Sequence, residues 1–141
     1  MIQAGKPKSV ELRAIEVVTR YYKEDGYEVE NVTRVRGKHY GYDLVVQKNS
    51  TQLKVEVKGC TKLYQIPDSY STQFDKATRQ LIADFLCVVC FQDPQNPQLA
   101  IIPREAILPE YVIPKYGYRI SGKFKNAKMM GRFLKKGRDV S

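Results

Sequence analysis

Asp43, Glu56 and Lys58 are the side chains whose types and spacing could do chemistry. Asp43 falls at the start of one candidate strand, and Glu56-Val57-Lys58 falls within the next. Residues two apart on a strand share a face, so Glu56 and Lys58 point the same way. Asp43 and Glu56 lie across a hairpin from each other and can converge at one end. Two carboxylates held close together repel unless a divalent cation sits between them, and hard oxygen ligands suit Mg²⁺ or Mn²⁺. A lysine beside such a pair can orient or help deprotonate an attacking water, or stabilise charge developing at phosphorus. Each residue also has a plainer role. Glu56 and Lys58 can be an ion pair on a solvated strand face, and Asp43 can cap a strand entry after Gly41.

The elements that must position these groups are legible from periodicity. A first helix is predicted over 9–25, with Ser9 as N-cap and Gly26 as the stop. At about 100° per residue, Val10, Ala14, Ile15, Val17, Val18, Tyr21 and Tyr22 form a broad apolar arc. Arg13, Glu16, Arg20, Lys23 and Glu24 fall opposite. Glu11 falls inside the arc, so it is expected to point toward whatever the helix packs on. A carboxylate on a packing face needs a partner or a task, although an acid in the first turn is also favoured by the helix dipole.

Three strands are predicted next, over 27–33, 42–47 and 51–58. The turn Lys48-Asn49-Ser50 makes the last two an antiparallel hairpin. Residues 59–70 read as a loop. Thr72-Gln73-Phe74-Asp75 resembles a capping box and predicts a second helix, with Phe74, Ala77, Leu81, Ile82 and Phe85 on one face. The apolar run 86–91 reads as a strand buried on both faces, and 99–102 as another. Residues 115–124 are expected to be extended and 126–136 to form a short basic helix. The order predicts an α/β domain.

Composition narrows the class. The 141 residues are 43% hydrophobic, enough for one domain with a core. There is no apolar run of about 18 residues and no secretory h-region, so neither a membrane partner nor export is expected. Three cysteines, Cys60, Cys87 and Cys90, are too few for a disulfide scaffold and suit a reduced, cytoplasmic setting. Cys87 and Cys90 have redox spacing, but three apart on a strand they face opposite sides. One histidine counts against a zinc site of the usual Cys/His types. The net charge of +9 is concentrated: residues 111–141 hold nine basic side chains and one acid. Such a segment attracts phosphate backbones or anionic lipid, or it simply solubilises.

The motifs Gly41-Tyr42-Asp43-Leu44-Val45-Val46 and Lys54-Val55-Glu56-Val57-Lys58-Gly59, after a glutamate-bearing helix, resemble the PD-(D/E)xK nuclease superfamily. A closer likeness is to the endonuclease-like domain at the C-terminus of some helicases and of NO VEIN proteins. Its Gly-Tyr-Asp strand, Glu-Val-Lys-Gly strand and helix acid followed three residues later by Ala correspond to Gly41-Tyr42-Asp43, Glu56-Val57-Lys58-Gly59, and Glu11 with Ala14. Tyr42 stands where the superfamily's name motif has Pro. The likeness covers about residues 9–91.

The resemblance implies a mixed central sheet flanked by helices, a restriction-endonuclease-like αβββαβ core. It implies Asp43 and Glu56 as metal ligands with the Val57 carbonyl, Lys58 acting on the attacking water, and Glu11 supporting the site. Glu16 lies at a family-like distance from Gly26 and is the alternative to Glu11. One nuclease domain is expected, with its core at about 9–103 and a basic extension at about 111–141. The implied activity is Mg²⁺-dependent hydrolysis of DNA phosphodiesters, by a homodimer or a subunit of a larger complex. The rival readings are a non-catalytic DNA-binding module and a nuclease subunit active only in a restriction, helicase or recombination complex. Candidate nucleic-acid contacts are Lys38, His39, Lys62, Gln73, Lys76, Lys123 and Lys125.

Overall fold

The computed structural model describes residues 9–33, 41–62, 66, 74–75, 77–109, 112–115, 117–120 and 132–134. Helix α1 spans Val10–Glu24. Ser9 Oγ accepts the Leu12 N–H at 3.1 Å and caps its start. At its end Gly26 adopts φ +89°. Gly26 N–H donates to the Lys23 carbonyl and Tyr27 N–H to that of Tyr22. The Tyr22 and Tyr27 rings meet edge-on at 5.3 Å, completing a Schellman closure with its apolar contact. Both termini are those predicted.

Strands β1 (Glu28–Asn31), β2 (Leu44–Lys48), β3 (Thr51–Cys60), β4 (Phe85–Cys90) and β5 (Gln98–Pro103) form one sheet in that order. Only β3 and β4 are parallel, so the sheet is mixed. Asn49 turns the β2–β3 hairpin in the left-handed conformation, which its short side chain tolerates. Leu44 pairs with Val55 and Lys48 with Thr51.

Period two divides the sheet into two faces. Leu44, Val46, Val55, Val57, Cys87, Val89, Leu99 and Ile101 pack under α1, against Ala14, Ile15, Val18 and Tyr22. Gly59 lets the start of α1 approach β3. A Cβ there would lie 2.9 Å from the Val10 carbonyl oxygen and 3.1 Å from the Ala14 Cβ. The other face is a second apolar cluster that includes Leu86, Val88, Cys90, Ile102, Phe74 and Leu81. Cys87 and Cys90 thus lie on opposite faces, as the strand period requires, and all three cysteines are unbridged.

Three expectations are corrected. No helix forms in the described part of the segment expected to be helical after Thr72. Phe74 bridges Leu81 instead, and Asp75 N–H donates to the Gln80 carbonyl. The Asp75 carboxylate accepts the N–H groups of Ala77 and Thr78 at 2.9 and 3.0 Å. Arg79 sits at φ +58°. The acid read as part of a capping box closes a local turn, which competes with helix. Phe74 and Leu81 still reach the core, by way of that turn, while Ala77 is exposed.

In the C-terminal third, the described part of the stretch expected to be extended is extended: Val112–Lys115 (β6) and Gly117–Ile120 (β7) form their own two-stranded sheet, and Val112 and Ile120 join the second core cluster. The expected basic helix differs. Within the expected basic helix, the described residues 132–134 are not helical. Leu134 bridges Ala100 and the Ile101 N–H donates to the Phe133 carbonyl, so this piece lies along β5. Finally, β3 continues through Gly59 and Cys60, which were read as loop.

Candidate functional site

The pairing of β2 with β3 stops at Leu44, and Asp43 takes over where the ladder ends. Its backbone is held three ways. Its N–H donates to the Val55 carbonyl, and its own carbonyl accepts the Val32 N–H, both at 2.9 Å, and the Thr33 hydroxyl at 3.4 Å. Its side chain replaces the missing strand partner: Oδ2 accepts the Val57 N–H at 2.8 Å. Asp43 is 6% exposed. One residue beyond the Leu44–Val55 pair, it stands opposite Glu56.

Glu56 lies on the face away from α1 and is 1% exposed. Its Oε2 is 3.4 Å from the Lys58 ammonium. Its Oε1 is buried with no hydrogen-bond partner among the described residues. Burial first, and then the neighbouring Asp43, push the Glu56 carboxyl up to about 9 against the opposing pull of Lys58. An apolar core surrounds this cluster, so the two acids and the lysine interact in a medium of low polarity.

This set fits a hard divalent cation. The orphaned Oε1 and the proximity of two carboxylates are both relieved by such an ion. In an extended strand a residue's N–H and C=O point to the same edge. The Val57 N–H reaches Asp43, so the Val57 carbonyl faces that side as well.

Of the predicted residues, the fold brings Asp43, Glu56, Val57 and Lys58 together. Glu11 is not buried beneath α1 as its angle predicted; it is exposed. It belongs to the first turn, where Val10 already sits over Gly59 near the end of β3, and the sheet beneath the helix runs out. Glu16 is exposed as well. Among the described residues no group of three or more Asp, Glu, His or Cys side chains is placed to hold a metal. Lys62 is exposed just beyond β3. Lys38, His39, Gln73, Lys76, Lys123 and Lys125 lie outside the described residues.

Sequence reasoning missed Tyr42 and Lys54 as site neighbours. Regular alternation would send Tyr42 to the α1 side with Leu44 and Val46. Gly41, at φ +80°, precedes it, and Tyr42 instead packs with the opposite cluster. The Lys54 ammonium lies 5.3 Å from its ring centre. The signal available was that Lys54 shares its strand face with Glu56 and Lys58.

The family described as "Protein NO VEIN, C-terminal" matches residues 10–102. The chain belongs to the NO VEIN C-terminal family. The matched range contains α1 and the five strands of the main sheet up to the penultimate residue of β5, and with them Glu11, Asp43, Glu56 and Lys58. Among solved structures, a bacterial homing endonuclease matches with 22% identity and a TM-score of 0.49, over 72% of this chain and 67% of its own. No curated protein matches the chain. Among the described residues no helix is long and apolar enough to cross a membrane.

Proposed function

We propose that this member of the NO VEIN C-terminal family is a divalent-metal-dependent endonuclease of the PD-(D/E)xK type that hydrolyses DNA phosphodiesters. The observation that carries the reading is Glu56, a fully buried carboxylate set against a second acid and a lysine with one oxygen unpartnered. Stability gives no reason for such a group, because burying a charge is costly.

When bound, Mg²⁺ or Mn²⁺ would supply Lewis-acid polarisation of the phosphate and a more acidic water. Asp43 and Glu56 would hold it, with the Val57 carbonyl as a further donor. Asp43 is fixed by the Val57 N–H and by both its own backbone bonds, so its position needs no reorganisation when substrate arrives. Lys58, beside Glu56, orients the water and stabilises charge on the phosphate oxygens. The apolar surround keeps these interactions strong by excluding bulk water. Glu11, exposed in the first turn of α1, is assigned the role of an outer acid that acts without touching the buried set. Lys62 and the candidate contacts outside the described residues bind the DNA backbone. One domain of this kind carries one site, so cutting both strands calls for a homodimer or a larger complex.

A second reading is favoured by one observation: among the described residues no third acid joins Asp43 and Glu56. In that reading the chain is a DNA-binding module, or a subunit completed within a complex. Incubating supercoiled plasmid with Mg²⁺, with Mn²⁺ and with EDTA separates the two. Metal-dependent nicking lost in Glu56→Ala and Lys58→Ala supports the endonuclease. Salt-sensitive binding without nicking, unchanged in both variants, supports the module.

A further inference from the structure

We propose that Lys54 is a phosphate-binding residue at the mouth of the Asp43–Glu56–Lys58 site, and that the Tyr42 ring is the positioning residue that holds it there. The inference rests on the endonuclease reading for the identity of the ligand, a nucleic-acid strand. It rests on the geometry for the residues.

Lys54 and Glu56 are alternate residues of β3 and share a face. Two residues along a strand span about 6.7 Å, a distance comparable to one nucleotide step. A strand whose scissile phosphate lay at Asp43 and Glu56 would therefore carry its neighbouring phosphate toward Lys54. The exposures follow the same gradient. Lys54 is exposed, while Glu56 and Lys58 are 1% and 9% exposed. The face thus runs from solvent at Lys54 to a closed interior at Glu56.

The backbone of Lys54 is fixed more tightly than a surface lysine requires. Its N–H donates to Asp84 Oδ2 at 2.8 Å, and its carbonyl accepts the Asp84 N–H at 2.8 Å. Asp84 is held in turn by Arg104, at 3.1 Å. The acid nearest the Lys54 backbone is thus engaged by that backbone and by an arginine. Among the described residues the Lys54 ammonium makes no salt bridge. Its one described contact is the Tyr42 ring, 5.3 Å away. A cation over a ring face is attracted by the ring's quadrupole and keeps its N–H donors for an anion. Tyr42 immediately precedes the carboxylate of Asp43, so the ring aims the ammonium along the edge of the site. Gly41, at positive φ, directly precedes the residue that leaves the strand alternation.

The test is binding of a short labelled DNA duplex across a salt series, with Ca²⁺ in place of Mg²⁺. Lys54→Gln is expected to raise Kd about 5- to 10-fold. It should also lower the slope of log K against log salt by about 0.9, the loss of one phosphate contact. Lys54→Arg should restore both. Tyr42→Leu should raise Kd with the slope unchanged, because the charge remains but is no longer held, and Tyr42→Phe should bind as wild type. Lys48→Gln removes the same charge from the α1 side of the β2–β3 hairpin, where it donates to the Asp25 carbonyl, and should leave the slope unchanged. A wild-type slope in Lys54→Gln, an equal loss in Lys48→Gln, or no duplex binding by wild type overturns the proposal. Plasmid cleavage that needs Glu56 but is indifferent to Lys54 sinks the lysine's role and leaves the endonuclease standing. Lys54-dependent binding without metal-dependent cleavage does the reverse.

Discussion

The same strands build two unlike faces. Under α1, Val55 and Val57 meet Leu44, Val46, Ala14 and Val18, and no buried side chain there carries a charge. One residue along, on the opposite face, Glu56 and Lys58 are buried beside Asp43, within a cluster otherwise made of Leu, Ile, Val, Phe, Ala and Cys. The apolar face is accounted for by burial alone, since each large side chain removed from water contributes about 1.5–3 kcal/mol. The other face carries charges that the same bookkeeping counts as a cost. A group that costs stability and is nonetheless held by directed contacts, as Asp43 is, is where the proposed chemistry would sit.

The largest expected effect breaks the comparison from the charged side. Glu56→Ala and Lys58→Ala should each lower metal-dependent plasmid cleavage by about 10²–10⁴-fold, the scale of losing a group that acts on the reacting atoms. Urea unfolding of metal-free protein should show no comparable loss of stability. If either variant cuts at the wild-type rate, the charged face has no catalytic meaning.

From the apolar side the pattern should invert. Leu44→Ala removes a fully buried side chain under α1 and should cost about 2–5 kcal/mol in chemical denaturation. Cleavage per folded molecule should stay near wild type. Leu44 adjoins Asp43 in sequence and points to the other face, so equal damage to activity and stability would show that the two faces are not separable.

How far this division was legible in the sequence depends on the range of the forces involved. The strict alternation of 51–58 and the Lys48-Asn49-Ser50 turn are local signals, and they placed Asp43 opposite Glu56 and the valines under α1. The capping of α1 by Ser9 and Gly26 was legible for the same reason. Glu11 was misplaced because a helical wheel reports direction but not how far the supporting sheet extends. The segment after Thr72 was misread because Asp75 serves a helix cap and a tight turn equally well, and the contact between Phe74 and Leu81 decides between them. Leu134 lying along β5 is a pairing over a long sequence separation, which no local pattern announces. Tyr42 leaves the alternation just before β2 begins, where the ladder no longer fixes it to one face.

On the proposed metal-dependent reading, proton and metal would compete for the charged face, and pH sharpens the comparison. The Glu56 carboxyl is pushed up from its ordinary 4.5 to about 9. Between those values the folded chain keeps a proton that the unfolded chain has released. The contribution of this group to stability is therefore greatest below about pH 4.5, falls as pH rises through the window, and levels off above about 9. In EDTA, the melting temperature should drop by several degrees more between pH 6 and pH 9 in wild type than in Glu56→Gln, at roughly 2–4 °C per kcal/mol for a domain near this size. Added Mg²⁺ should raise the melting temperature more at pH 8.5 than at about pH 6, because the ion must displace the proton. An Mg²⁺ effect independent of pH, or equal in Glu56→Gln, would detach metal binding from this carboxylate.

The smallest expected effect concerns Glu11, exposed in the first turn of α1. As an acid in the first turn it stabilises the helix through the dipole by about 0.3–1 kcal/mol. Glu16, a turn and a half further along, is exposed on the same helix and has a weaker claim to that role. Glu11→Gln should therefore lower stability slightly. If Glu11 also supports the metal site from the solvent side, cleavage should fall about tenfold, the lower end of what outer groups around a metal contribute. Raising Mg²⁺ should recover part of that loss. Glu16→Gln should change neither. Stability lost in Glu11→Gln with cleavage intact would reduce Glu11 to a helix-terminal acid. Cleavage lost in Glu16→Gln instead would move the helix-borne acid one turn along α1, toward the groove between that helix and β1.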